Sequence, residues 1–417
     1  MFRHYPILYL VVAASWLFTT AAHAASSEGF ELLYQVEISP ETGMAEVAIQ
    51  LQGKRLPKQL VVHFRGERYS NIESQDPIQV DGGKVRWTPQ GNRARLSYRF
   101  AIDHQRSSGG YDSRITDDWT ILRSDRLIPP ISATMEPGLS ARASLQLTLP
   151  DEWTSALPYE KLDDNVYRIK DPERRIKRPK GWMIAGRIGS RQDMIAGTNT
   201  KVSAPLGENI HRQDTLAFLN WNLPYIRQVF PDFPDHLLVV TAADPMWRGG
   251  LSGTRSLFMH AERPLISGNR TSSMIHELVH VATGIRGDHE SDWIVEGLAE
   301  FYSLEILRRS GGISQLRYDE AMARLAEWGQ QAPSLLVPSS SGAVTARAAT
   351  LIYALDKEIR AVSHGAASID DVARKLAETR GEVSLAGFRQ LAEQVAGGPL
   401  KTLDRDRLGG EGKNTDR

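Results

Sequence analysis

The chain has 417 residues, 50 Lys plus Arg against 50 Asp plus Glu, a formal net charge of zero and no cysteine. The charge balance gives no drive toward nucleic acid or an anionic membrane, and the missing thiols exclude disulfides and a lipid-attachment cysteine. A chain this long can still bury cores large enough to fold without disulfides in an oxidising compartment.

The first residues read as a secretory signal. Arg3 and His4 make a basic start, residues 7–18 a short apolar run, and Ala22-His23-Ala24 an A-x-A site with the cut after Ala24. The run is shorter than the ~20 residues that span a bilayer, an uncleaved anchor being the alternative. No later stretch matches it. Residues 1–24 are therefore read as a signal peptide, and the mature chain is expected in the periplasm or outside the cell, with no membrane span.

Residues 25–195 read as β-rich. Leu32, Tyr34, Val36 and Ile38 alternate with polar residues, as do Ala45, Val47, Ile49 and Leu51, then Leu96, Tyr98, Phe100 and Ile102, then Leu145, Leu147 and Leu149. Period two with one polar face, broken by Pro and Gly turns, predicts an antiparallel sandwich-like domain. The basic run at 174–180 reads as a solvated loop beside a turn at Pro179 and Gly181, a grip on an acidic substrate or surface being the alternative.

A linker over 193–207 is expected to lead into a second domain, 205–400. Its first helix, over 215–229, should kink or end at Pro224. Strands are expected at 237–241 and 256–260, and helices over 314–329, 344–361, 368–379 and 384–396. Ser368 with Asp371 makes a capping box for the third of these helices. Residues 401–417, polar and Gly-containing, read as a disordered tail. The fold class is α+β: a β-sandwich-like half followed by a mostly helical half with a small sheet.

The chemistry concentrates between residues 274 and 307. His276 and His280 are four apart, so on a helix both rings leave the same face and can hold one metal ion. Glu277 lies about 100° around that helix, near enough to reach a water at the ion without being a ligand. The neighbours Met274, Ile275, Leu278, Val279, Val281 and Ala282 are apolar nearly all round, so the helix is buried. Its histidines and Glu277 then need partners, which a metal supplies. Gly284 offers a helix stop. On the next helix, Trp293, Ile294, Leu298, Phe301, Leu304 and Leu307 form a core stripe that also carries Glu296, the expected third ligand. Two imidazoles, one carboxylate and an open position make a catalytic zinc pattern. Glu300, four residues on, can accept the second ring N–H of a ligand histidine. Asn269-Arg270-Thr271 is a formal glycosylation sequon, discounted because a glycan there would obstruct this site.

At His276-Glu277-Leu278-Val279-His280 and Trp293-Ile294-Val295-Glu296-Gly297-Leu298-Ala299-Glu300 the chain resembles the gluzincin zinc metallopeptidases, with the glycyl-aminopeptidase-like and aminopeptidase-N-like branches nearest. Trp247-Arg248-Gly249-Gly250-Leu251 lies where those branches carry a Gly-Gly-Leu-Glu-His or Gly-Ala-Met-Glu-Asn stretch. The resemblance implies a thermolysin-like catalytic domain with His276, His280 and Glu296 as Zn2+ ligands, Glu277 as general base, and a peptide or protein substrate, with aminopeptidase activity as the narrower form. The edge strand before the metal helix would then pair with the substrate. Three features depart from the pattern. The loop from His280 to Glu296 holds 15 residues, short beside the large aminopeptidases. Ser252-Gly253 stands where aminopeptidases place the Glu that grips a substrate's free amine. Thr345-Ala346-Arg347-Ala348 stands where they carry an oxyanion-stabilising tyrosine, leaving Arg347, Tyr353 and His289 as substitutes. A zinc-containing envelope binding protein of weak or no activity is the alternative reading, and hydrolysis of a non-peptide amide a third.

Overall fold

Alternating burial builds the N-terminal half. In the strand Gly29–Ser39 every second residue from Phe30 to Ile38 is buried, and Met44–Gln52, Arg93–Ala101 and Ser140–Thr148 follow the same rule. The structure is a computed structural model describing residues 29–171 and 174–409. The signal peptide expected at 1–24 lies outside the described residues. The strands form a seven-stranded sheet in the order Glu160–Asp163, Val166–Ile169, Ser140–Thr148, Gly29–Ser39, Met44–Gln52, Arg93–Ala101, Tyr69–Ser74. One central pairing, Gly29–Ser39 with Ser140–Thr148, is parallel, a departure from the all-antiparallel expectation. A four-stranded sheet shares the core through Leu60, Val62, Val85 and Trp87.

A third sheet joins the two halves. Its strands Trp119–Arg123 and Trp182–Gly186 are buried on both faces. Leu122, Met183 and Ala185 face the sandwich core. Trp119, Ile121, Trp182 and Ile184 pack instead with Leu238, Val240 and Phe258 of the next sheet. Each large apolar side chain fully buried there stabilises the junction by about 1.5–3 kcal/mol.

That next sheet runs Ile188–Ile195, Thr198–Pro205, His236–Ala242, Ser256–His260, Gly250–Gly253, parallel through its centre and antiparallel at both margins. The linker expected over 193–207 is thus a β-hairpin of the second half. Strand follows strand across the boundary, so periodicity could not mark it. The helix Arg212–Val229 continues through Pro224. Burial of Leu219, Leu223, Ile226 and Val229 outweighs the ~3 kcal/mol that an internal proline costs. The helices Gln315–Gly329, Ala343–Val362, Ile369–Thr379 and Leu385–Ala396 fall within a residue of expectation at either end, and the Ser368–Asp371 capping box is present.

Residues 401–409, expected as part of a disordered tail, are ordered instead. Lys401–Leu403 and Arg405–Leu408 are short helical turns whose Leu403 and Leu408 enter the core. Glu358 fixes them by accepting the Lys401 and Thr402 N–H groups, both at 2.8 Å. Residues 410–417 lie outside the described residues. Among those described, no helix is long and apolar enough to cross a membrane.

Candidate metal centre

The helix Ser273–Thr283 is closed at both ends. The Ser272 hydroxyl accepts the Ile275 N–H at 3.3 Å, and Gly284, at φ +58°, turns the chain out in a left-handed conformation that favours glycine. Met274, Ile275, Leu278, Val279, Val281 and Ala282 are buried in the core, which leaves His276, Glu277 and His280 facing a cleft. The return segment Ile285–Gly287 pairs in parallel with Gly381–Val383, and the Ser291 hydroxyl lies 2.6 Å from the Val383 carbonyl. This clamp sets the start of the helix Asp292–Arg309. Gly297 lets that helix approach its neighbour closely, since a Cβ there would stand 2.9 Å from the Ala348 Cβ. The result brings Glu296 across to both histidines.

His276 Nε2 lies 3.2 Å from one Glu296 oxygen, and His280 Nε2 lies 3.5 Å from the other. One atom from each of the three side chains falls within 4.8 Å of the others. Ligand atoms at ~2.1 Å in a tetrahedral zinc site stand about 3.4 Å apart, so this donor set fits the ion with only slight closure. His276 Nδ1 lies 3.1 Å from Glu300 Oε2, and a proton carried on Nδ1 and donated to that oxygen would present Nε2, which faces Glu296, to a metal. The two sequence-predicted histidines, Glu277, Glu296 and Glu300 therefore meet in one place.

The four titratable groups shift one another strongly. Burial disfavours charge on His276, but hydrogen bonds to Glu296 and Glu300 outweigh it and push the ring up to about 10. Burial and the charge of His276 push His280 down to about 4. Burial would raise Glu296, yet the hydrogen bond to His276 and the nearby His280 hold it below the usual carboxylate range. Burial dominates at Glu277 and raises its carboxyl, with Glu296 adding to the rise while His276 and Ser252 oppose it.

Glu277 is pressed against the edge strand Gly250–Gly253. A Cβ on Gly250 would come within 2.7 Å of the Glu277 Cγ, so the Gly249-Gly250 pair has a steric purpose. Ser252, standing where the amine-gripping Glu was sought, faces Glu277 from that strand, and its hydroxyl and backbone N–H favour the charged carboxylate. The N-terminal half holds this strand from behind. Trp182 Nε1 donates to the Leu251 carbonyl at 2.7 Å, and Arg123 Nη1 donates to the Ser252 carbonyl at 3.3 Å. Asp125 grips the same guanidinium at 3.1 and 2.9 Å. Sequence reading missed Arg123 and Trp182, because nothing local marks a contact made 129 or 69 positions away.

Two cavities open on the triad, of about 1330 and 570 Å³. None of the three proposed oxyanion donors lines either. Arg347 donates to the Ala332 and Arg407 carbonyls, Tyr353 packs on Tyr318 under the Lys357 ammonium, and His289 sits in the turn before Asp292–Arg309. Ser340, which sequence reading overlooked, lines both cavities. Its N–H donates to Asp292 Oδ2 at 2.6 Å, and its buried hydroxyl has no hydrogen-bond partner among the described residues. The basic run at 174–180 is more than a solvated loop. Arg175 and Arg178 are pinned to backbone carbonyls, Ile176 is buried, and Arg174 and Lys180 line the larger cavity. Asn269 lies in the wall of the smaller cavity, its side chain accepting from Thr271.

No protein-family model and no curated protein matches the chain in sequence. Solved structures do match in fold. An aminopeptidase N family protein from Idiomarina loihiensis aligns at a TM-score of 0.63 and 13% identity over 84% of this chain and 70% of its own. An M1 zinc metallopeptidase from Deinococcus radiodurans aligns at 0.57 and 16% over 92% and 94%. Native leukotriene A4 hydrolase from Saccharomyces cerevisiae aligns at 0.54 and 13% over 88% and 65%. The fold is the one shared by these gluzincin metallopeptidases, as the two motif helices implied.

Proposed function

We propose that this chain, which has the gluzincin fold, is a zinc-dependent peptidase acting on peptides or proteins, exported by the signal-like segment at 1–24. The observation that carries the reading is a His276–His280–Glu296 triad of zinc dimensions beside a buried carboxylate, Glu277, that takes no part in it. Zinc, when bound there, supplies the Lewis acidity that polarises a scissile carbonyl and lowers the pKa of water toward ~7. Glu277, packed against Gly250 of the edge strand, takes the proton of the attacking water and returns it to the leaving amine. Glu300 fixes the His276 tautomer and so presents Nε2 to the ion. The absence of Arg347, Tyr353 and His289 from the cleft favours the second reading, a zinc-holding binding protein. The raised, positioned Glu277 favours catalysis, since a structural site has no use for a base.

The deciding experiment profiles a peptide mixture by mass spectrometry with zinc-loaded wild type and with Glu277→Gln. Cleavage is expected from wild type only, with Glu277→Gln keeping one zinc per chain and losing about 10²–10⁴ in rate. Equal cleavage by both proteins would remove Glu277 from the mechanism. Intact peptides beside a full zinc complement would establish the binding protein.

A further inference from the structure

We infer that the cleft takes the interior of an extended peptide and that the bond cut is an internal one, with no grip on the substrate's terminal ammonium. This rests on the peptidase reading and names its substrate class.

The first ground is the shape of the cleft. The two cavities share Gly250, His276, Glu277, Glu296 and Ser340, so they meet at the reaction centre. From there the larger runs past His280 to Gly284, toward the C-terminal end of the metal helix. The smaller runs back to Ser273 at the helix start and out to Trp328. Eleven helical rises separate these ends, about 16 Å, the length of roughly five extended residues. An enzyme that removes terminal residues must close one side of its centre within a residue or two. Here space opens on both.

The second ground is the state of the carboxylates. A substrate ammonium needs an anionic partner, and nearly every acid in the two cavities already has another task. Asp171 holds Lys180 at 2.8 Å, Asp235 lies 3.3 Å from His236 and 3.8 Å from Arg255, and Asp292 accepts the Ser340 N–H. Glu296 and Glu300 face the histidines, and Glu277 is pressed against Gly250 of the edge strand. Asp232 is exposed on the outer rim, where a solvated carboxylate discriminates by about fivefold at most. The edge strand beside the base offers only Gly250, Leu251, Ser252 and Gly253, and Arg286 and Arg380 line the larger cavity as cations.

The test uses one peptide long enough to fill both cavities, in free, N-acetylated, C-amidated and doubly blocked forms. Turnover is measured with zinc-loaded wild type, and affinity by calorimetry with zinc-loaded Glu277→Gln. The doubly blocked peptide is expected to be cut at an internal bond, with kcat/KM and Kd within about threefold of the free form. A loss of about tenfold or more on acetylation would reveal an ammonium anchor, and the same loss on amidation a carboxylate anchor. Either result, or stepwise release of terminal residues, overturns the inference. If no form is cut, the peptidase reading fails by itself. Equal binding of blocked and free peptides then still upholds the open groove, and unequal binding or none overturns it.

Discussion

The two halves of this molecule serve the same site by different means. The C-terminal half contributes the three side chains of the candidate metal group, His276, His280 and Glu296, from two helices adjacent in the chain. The N-terminal half contributes none of the triad. It holds the strand against which the base rests, through Arg123 and Trp182, with Asp125 bracing the arginine. Ligand sets need only short sequence spacing and a helix. A general base needs a wall, and here the wall beside Glu277 is kept in place by residues 69 and 129 positions upstream of the carbonyls they hold. The comparison predicts that the two halves can be injured separately: one injury should release metal, the other should slow turnover and leave the metal bound.

The largest effect is expected on the metal side. Glu296→Ala should abolish stable zinc binding and with it all cleavage, since two imidazoles alone make an incomplete site. Metal content after dialysis checks this. Glu300→Ala, which only frees the His276 Nδ1–H, should weaken zinc by about 10–100-fold in a chelator competition. On the wall side, Gly250→Ala places a methyl 2.7 Å from the Glu277 Cγ. The base must move, and a displacement near 1 Å costs about 10²-fold in kcat. Zinc affinity should not change, because the methyl's three nearest atoms belong to Glu277 and Met259 rather than to the triad. Arg123→Ala should act in the same sense but more weakly, by about tenfold, as the Ser252 carbonyl loses a charged donor. Release of zinc by either wall variant would dissolve the division of labour.

What the sequence made legible follows the same division. The metal helix, its Gly284 stop and the spacing to Glu296 and Glu300 were readable because helical periodicity and metal geometry are both local. The alternation of Leu32 to Ile38 or Leu96 to Ile102 was readable because one face of each strand meets water. Strands Trp119–Arg123 and Trp182–Gly186, buried on both faces, carry no such alternation, and they are the ones that join the halves. Ser252 was legible as a departure from the amine-gripping pattern. Its place beside Glu277 was not, since a serine's neighbours depend on packing that no local spacing records. Arg347 and Tyr353 were chosen for proximity in sequence to a missing tyrosine, and the helix Ala343–Val362 turns both away from the cleft.

The smallest expected effect probes the brace itself. Burial favours the neutral form of Asp125, yet Arg123, the Gly181 N–H and Arg178 outweigh burial and hold the carboxyl below its ordinary range. A carboxyl lowered by folding stabilises the native state fully above its unfolded value of about 3.9, and that contribution disappears as pH falls through the lower folded value. Asp125→Asn keeps the shape and removes the charge. Urea unfolding should show the variant less stable by about 1.5–3 kcal/mol near neutral pH, with the gap closing as pH drops below about 4. The Glu305 carboxylate, lowered in the same direction by Arg308 and Arg309 within the C-terminal half, should lose its own contribution over a similar range in both proteins. It therefore cancels in the difference. A gap that stays constant down to low pH would mean that Asp125 acts through shape alone, and that the charge on Arg123 reaches the edge strand without its help.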